Sequence, residues 1–144
     1  MAKRNYSHHP GWLILNKPIG ISSAKAVNIV KFFFNVKKAG HAGTLDPLAS
    51  GVLPIALDDA TKTIPYLVDT KKKYKFTIAW GQKTETDDSE GKVIEESDLR
   101  PSHENIKNAI GLFLGNIIQT PPRFSAIKIK GKRAYSLARE NIEF

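Results

Sequence analysis

Apolar residues recur along this chain in two rhythms, one suited to strands and one to helices. Trp12 to Leu15 is a short apolar run that reads as a strand, and Lys17-Pro18-Ile19-Gly20 supplies a turn after it. Ser22 or Ser23 can then cap a helix running to about Asn35, with Val27, Val30, Phe33 and Phe34 on one face at helical spacing. Lys37, Lys38 and Gly40 lead into a loop, and Val52 to Leu57 forms an apolar strand followed by a short helix from Ala60 to Leu67.

In the second half, Lys73 to Trp80 alternates as a strand does, and Thr84 to Glu96 is an acidic, glycine-containing connection. Ser102 caps a helix whose Ile106, Ala109, Ile110, Phe113 and Leu114 form an amphipathic stripe. Glu104 in its first turn suits the helix dipole, and Gly115 ends it. Beyond Pro121-Pro122, the run Phe124 to Ile129, a turn at Gly131 and a helical piece around Ala134 to Glu140 complete the pattern. The elements predict an α+β fold, and the 144 residues are enough for one modest core.

Composition changes this picture mainly by exclusion. The net charge of +8 and pI near 9.7 favour a polyanionic partner such as nucleic acid. With no cysteine, disulfide scaffolds, cysteine zinc sites and thiol nucleophiles are excluded. No apolar run reaches the roughly 18 residues of a membrane span, and no signal-peptide core follows the basic N-terminus; a cytoplasmic protein is expected. Phosphate-loop and dinucleotide glycine motifs are missing, as is His-Glu-x-x-His. Asp87-Asp-Ser-Glu-Gly91 hints at a calcium loop, but with Gly91 sixth the first and last ligands would be Thr86 and Ser97, and the match fails.

The stretch His41-Ala-Gly-Thr-Leu-Asp-Pro-Leu-Ala-Ser-Gly-Val-Leu-Pro-Ile55 is the most informative. Asp46 sits in a turn punctuated by Gly43, Pro47 and Gly51 that feeds directly into the apolar strand, which is a common way to display a reactive group. Asp-Pro taken alone also reads as an ordinary helix start. Four ordered blocks carry a resemblance that decides between the two. Lys17-Pro-Ile-Gly-Ile-Ser-Ser23, the His41–Ile55 block, Tyr74 within Lys73-Tyr-Lys-Phe, and Gln119-Thr-Pro-Pro-Arg-Phe-Ser-Ala-Ile-Lys128 continuing to Tyr135 resemble the tRNA pseudouridine synthase B (TruB) family of bacterial type. The resemblance runs over nearly the whole chain from Gly11 onward.

It implies a pseudouridine synthase fold, with a mixed, largely antiparallel sheet flanked by helices, and isomerisation of uridine to pseudouridine in the T-loop of tRNA. It implies no metal, no cofactor and no obligate protein partner. Asp46 is then the catalytic carboxylate, and a solvated aspartate, with a pKa of about 3.9, is already ionised at neutral pH. His41 and Tyr74 are expected to contact substrate, the tyrosine by stacking on the target uracil amid Lys71, Lys72, Lys73 and Lys75. Flipping a nucleotide out costs a few kcal/mol, least for a poorly paired loop base, so a T-loop uridine is a sensible target.

Lys62 is expected at phosphate, and Lys17 and Pro18 as supports of the catalytic loop. Arg123, Lys128, Lys130, Lys132 and Arg133 alternate with Phe124, Ile127 and Ile129, which suits a hairpin with one basic edge for RNA. That segment, about 119–144, corresponds to the family's RNA-gripping thumb. Asp58 and Asp59 receive no catalytic role and read as the acidic start of a helix. Ala42 stands where many relatives have glycine.

The ending Asn141-Ile-Glu-Phe144 lacks a cap, a turn or a polar tail, so residues 1–144 are expected to be the N-terminal portion of the catalytic domain. The family's later arginine, which pairs with the aspartate, and its C-terminal RNA-binding region would lie beyond Phe144. Such a piece is expected to expose a sheet edge or apolar face, and its activity in isolation is doubtful. A non-catalytic RNA-binding module on the same scaffold is the alternative.

Overall fold

The computed structural model describes residues 5–121, 125, 127–140 and 142, with Arg133 and Arg139 described by backbone alone. The chain divides into two compact units, Met1–Tyr74 and Lys75–Phe144.

The first unit is built on a three-stranded antiparallel sheet of order β1-β3-β2, from β1 (Gly11–Lys17), β2 (Ala39–His41) and β3 (Gly51–Leu57). The register sets Leu13 opposite Ile55 and Leu15 opposite Leu53, so these four share one face. Against that face lies helix α1 (Ser23–Phe33), which contributes Ala26, Val27 and Val30 to a core shared with Leu53, Ile55, Leu57 and Val36. The opposite face carries Ile14 and Val52, both largely exposed.

Ser22 is the N-cap of α1, its hydroxyl accepting from the Lys25 amide at 3.2 Å. The helix stops because Asn35 takes a left-handed conformation at φ 48°. Its amide donates to Phe32 O, and the Val36 amide donates to Lys31 O, the paired bonds of a Schellman cap. Val36 is then fully buried. One expected face residue departs from the pattern. Phe33 is 79% exposed, because it lies roughly 100° around the helix from Phe34, whose ring it meets edge-on at 5.2 Å.

After β3, residues Asp58–Thr63 form a 3₁₀ helix and Pro65–Val68 a single α turn, α2, in place of one continuous helix from Ala60 to Leu67. Pro65 takes the first helical position, where a missing N–H costs nothing. The N-terminal arm is tied down as well. Ser7 N–H donates to Asn35 O, the Asn35 amide side chain donates to Asn5 O, and His9 N–H donates to the Asp58 carboxylate.

The expected strand over 73–80 is absent: residues 71–79 form neither helix nor strand. Tyr74, Phe76 and Ile78 are exposed, and alternation alone does not make a strand where no neighbouring strand accepts its ladder.

In the second unit, the stretch expected to be only a connection contains a hairpin of β4 (Gln82–Thr84) and β5 (Val93–Glu96). Its loop is closed by Asp88, whose carboxylate accepts from the Thr86 hydroxyl at 2.5 Å and the Glu90 amide at 2.9 Å. Helix α3 (His103–Gly111) is capped by Ser102, as its sequence predicts, but ends four residues before Gly115. Its stripe is not buried. Ile110, Phe113 and Leu114 are all exposed, because nothing among the described residues packs over them.

The hairpin of β6 (Lys128–Ile129) and β7 (Lys132–Arg133) forms as expected, and α4 (Ala134–Arg139) follows it. Lys130 at φ 48° and Gly131 at φ 86° supply the two positive values of the tight turn that matches strand twist. The architecture is mixed α+β, with every sheet antiparallel among the described residues.

Candidate active site

The site grows from the loop between β2 and β3. His41 is the last residue of β2 and lies opposite Ile55, and the Ala42 amide extends the pairing by donating to Pro54 O at 3.0 Å. The chain then turns at Gly43, whose φ of 101° is open to glycine and strained for other residues, and re-enters the sheet at Gly51, φ 136°.

Between those glycines Asp46 is held by its neighbours. Leu45 packs its side chain against the core, and its backbone is bound on both sides of its Cα by Ser23: the Leu45 amide donates to Ser23 Oγ and Ser23 Oγ donates to Leu45 O, each at 2.9 Å. On the other flank the Gly20 amide donates to Pro47 O at 2.8 Å. Ala49 N–H closes the turn on Asp46 O at 3.0 Å. The carboxylate itself is exposed, and no donor among the described residues reaches it.

Behind the Gly20 contact lies a fully buried ammonium. Lys17 is 0% exposed, and its Nζ donates to Pro18 O at 2.9 Å and Ile21 O at 2.8 Å, folding residues 18–21 around itself. The expected supporting role of Lys17 therefore has a concrete form: it shapes the turn whose Gly20 amide grips the Asp46 loop.

The half-buried His41 ring faces back on its own loop, with Nδ1 hydrogen-bonded to Gly43 O. A carbonyl only accepts, so Nδ1 is the donor in this contact. A side chain added at Gly43 would come within 4.0 Å of Lys72 Cε, which brings Lys72 beside the same loop. The Lys72 ammonium donates to Val68 O and Thr70 O, so this lysine is tethered to the end of α2. Tyr74 closes the first unit with an exposed ring.

Lys62 stands on the 3₁₀ helix and donates to Asp59 at 2.9 Å; the same carboxylate meets His8 Nε2 at 3.2 Å. Both partners are exposed, and such pairs contribute little and yield readily to another anion. The Lys62 hydrogen bond, followed by that from His8, holds the Asp59 carboxyl below its usual range. Asp58 is different in kind. It is buried at φ 44° and accepts from the His9 and Lys38 amides; the His9 contact leads in lowering its carboxyl, against an opposing effect of burial. It fastens the arm and β3 together, in keeping with its expected structural role.

The basic hairpin belongs to the second unit. Lys128, Lys130 and Lys132 are exposed on it, Arg133 is described by backbone alone, and Arg123 lies outside the described residues. No three metal-ligating side chains converge among the described residues, and no described helix is long and apolar enough to cross a membrane. Sequence reasoning missed Gly20 and the clamp of Ser23. The only signal was that Gly-Ile-Ser-Ser falls within the first of the four blocks.

Residues 31–144 match the family model described as TruB family pseudouridylate synthase (N terminal domain). The chain is 59% identical over 130 residues to tRNA pseudouridine synthase B of Agrobacterium fabrum, covering 90% of this chain and 41% of that protein. It is 62% identical over 129 residues to tRNA pseudouridine synthase B of Wolbachia pipientis, covering 90% of this chain and 36% of that one. A solved structure of an H/ACA RNP bound to a substrate RNA containing 2′-deoxyuridine is similar to it at 49% identity and a TM-score of 0.39, over 40% of this chain and 18% of that one. The chain thus spans about two fifths of the length of the curated relatives it matches.

Proposed function

The chain belongs to the TruB family of pseudouridylate synthases, and on that premise we propose that it carries the catalytic aspartate of an enzyme that converts uridine to pseudouridine in the T-loop of tRNA. The observation that carries this reading is the treatment of Asp46: the backbone is held at Leu45 before it and at Pro47 after it, while its carboxylate is exposed and meets no donor among the described residues. A group so held is oriented before substrate arrives, which removes part of the entropic cost of reaction.

The reaction breaks the bond from ribose C1′ to uracil N1, turns the base and joins C1′ to C5. N1 gains a proton and C5 loses one, so no oxidant or co-reactant is required. Asp46 serves as the ionised nucleophile or base. His41 and Tyr74 contact the extruded base. Lys62, Arg123, Lys128, Lys130, Lys132 and Arg133 bind the RNA backbone, with the last five on a thumb spanning about 119–144. The family's pseudouridine synthase fold, with this chain as the N-terminal portion of the catalytic domain, accommodates the exposed apolar segments described above.

The test is tritium release from a T-arm stem-loop labelled at uridine C5. Release should vanish in Asp46→Ala, with RNA affinity retained. Turnover by that variant would sink the assignment. Binding without release in the unaltered chain would point to a catalytically incomplete piece or to the RNA-binding module, and restoring the downstream sequence separates the two.

A further inference from the structure

Two serines open helix α1, and the structure gives them different work. Ser22 caps the helix, its hydroxyl accepting from Lys25 N–H. The helix therefore has no need of Ser23 as a cap, yet Ser23 is buried at 2% exposure and its hydroxyl makes two bonds across 22 residues of sequence. A hydroxyl is the smallest side-chain group that can donate and accept at once. Here it does both to one residue, and so to two successive peptide units: the Thr44–Leu45 peptide through Leu45 N–H to Oγ, and the Leu45–Asp46 peptide through Oγ–H to Leu45 O.

The second of these peptides carries the Asp46 amide. Fixing both restrains the two backbone rotations at Leu45 that would otherwise swing Asp46, and Gly20 holds the chain beyond it at Pro47 O. Ser23 itself sits on the helix whose Ala26, Val27 and Val30 fill the core, so the clamp ties the loop to the most deeply packed part of the unit.

We propose that Ser23 is a positioning residue for Asp46, setting the direction of its carboxylate toward the substrate by locking the backbone on both sides of Leu45. The inference rests on the synthase reading for its catalytic consequence, but the clamp is measurable without turnover. Ser23→Ala removes both bonds, and Ser23→Cys keeps most of the volume while replacing the hydroxyl with a weak donor and acceptor.

In both variants the Leu45 amide should exchange with solvent at least about tenfold faster, the factor that corresponds to one ordinary hydrogen bond. The Ile55 amide in β3 should stay as protected as before, which separates a freed loop from a failed fold. On T-arm RNA, turnover should fall on the order of 10²-fold, the cost of misplacing a reacting group by about an ångström, with RNA affinity unchanged. Unchanged Leu45 exchange would overturn the clamp, and lost protection with full turnover would overturn its role in positioning. If the unaltered chain releases no tritium, Leu45 exchange still decides the clamp.

Discussion

Lys17 offers the sharpest test of how the scaffold holds its loop. Its ammonium is wholly buried and makes two hydrogen bonds, to Pro18 O at 2.9 Å and Ile21 O at 2.8 Å. A bond from an ionised donor contributes about 1.5–3 kcal/mol, so the pair contributes about 3–6 kcal/mol. Against this stands the desolvation of the ammonium, itself several kcal/mol. The two nearly offset, and the net effect of removing the charge is set by the carbonyls left behind. Pro18 is exposed and its carbonyl can be rehydrated, whereas Ile21 is half-buried.

Lys17→Met, which keeps the length of the stem, should therefore cost about 1–3 kcal/mol, the penalty of leaving a partly buried acceptor unmatched. Lys17→Ala removes three more buried methylene-sized groups at about 0.8 kcal/mol each, so it should cost roughly 2 kcal/mol beyond the methionine variant. Urea unfolding followed by circular dichroism at neutral pH measures both, provided the slope with denaturant stays constant. The Gly20 amide should also lose protection in the methionine variant as the turn relaxes. Equal stability of Lys17→Met and the unaltered protein, with Gly20 still protected, would refute the claim that the ammonium shapes this turn.

Two further predictions concern charge. Asp58, Asp59 and Asp88 all have carboxyls lowered by folding, led respectively by the His9 amide, the Lys62 ammonium and the Thr86 hydroxyl. The stability they supply is fully present above the unfolded value of about 3.9 and is lost as pH falls through the lower folded values. Asp58→Asn should lower the urea midpoint at neutral pH and narrow the gap to the unaltered protein under acid; parallel curves would contradict the linkage. Replacing Lys128, Lys130 and Lys132 with Gln should flatten the log–log dependence of RNA affinity on salt by about 0.7–0.9 per lost phosphate contact. A binding isotherm series in salt reads this directly, and an unchanged slope would remove the hairpin from the RNA interface.

The elements that could be read from sequence are those determined by neighbours along the chain. β1 and β3 follow from local apolar runs, the starts of α1 and α3 from Ser22 and Ser102, and the β6–β7 turn from Gly131. What escaped depends on distant partners. Residues 73–80 alternate convincingly, but a strand exists only where another supplies its ladder. Ala39–His41 carries no strand signal in three residues and becomes β2 because β3 lies beside it. The β4–β5 hairpin lacks an apolar rhythm and is organised by Asp88 bonding inside its own loop. The site followed the same rule: Asp46 was visible in its motif, whereas the Ser23–Leu45 clamp joins positions whose proximity only the fold reveals.

The contrast between Asp46 and Asp58 shows why the same residue type performs opposite tasks in one unit. Asp58 receives amide donors on its carboxylate and is buried, so its charge is consumed in holding the arm to β3. At Asp46 the donors fall one residue to either side, on the carbonyls of Leu45 and Pro47, and Ser23 accepts from the Leu45 amide. Donors placed on a carboxylate stabilise its charge in the ground state and blunt its reactivity. Donors placed on the flanking peptides restrict its motion and leave its charge available to a substrate. The motif sets Asp46 apart in the sequence, and the distribution of hydrogen bonds sets it apart from Asp58 in the fold: donors meet the carboxylate itself at Asp58 and the neighbouring backbone at Asp46.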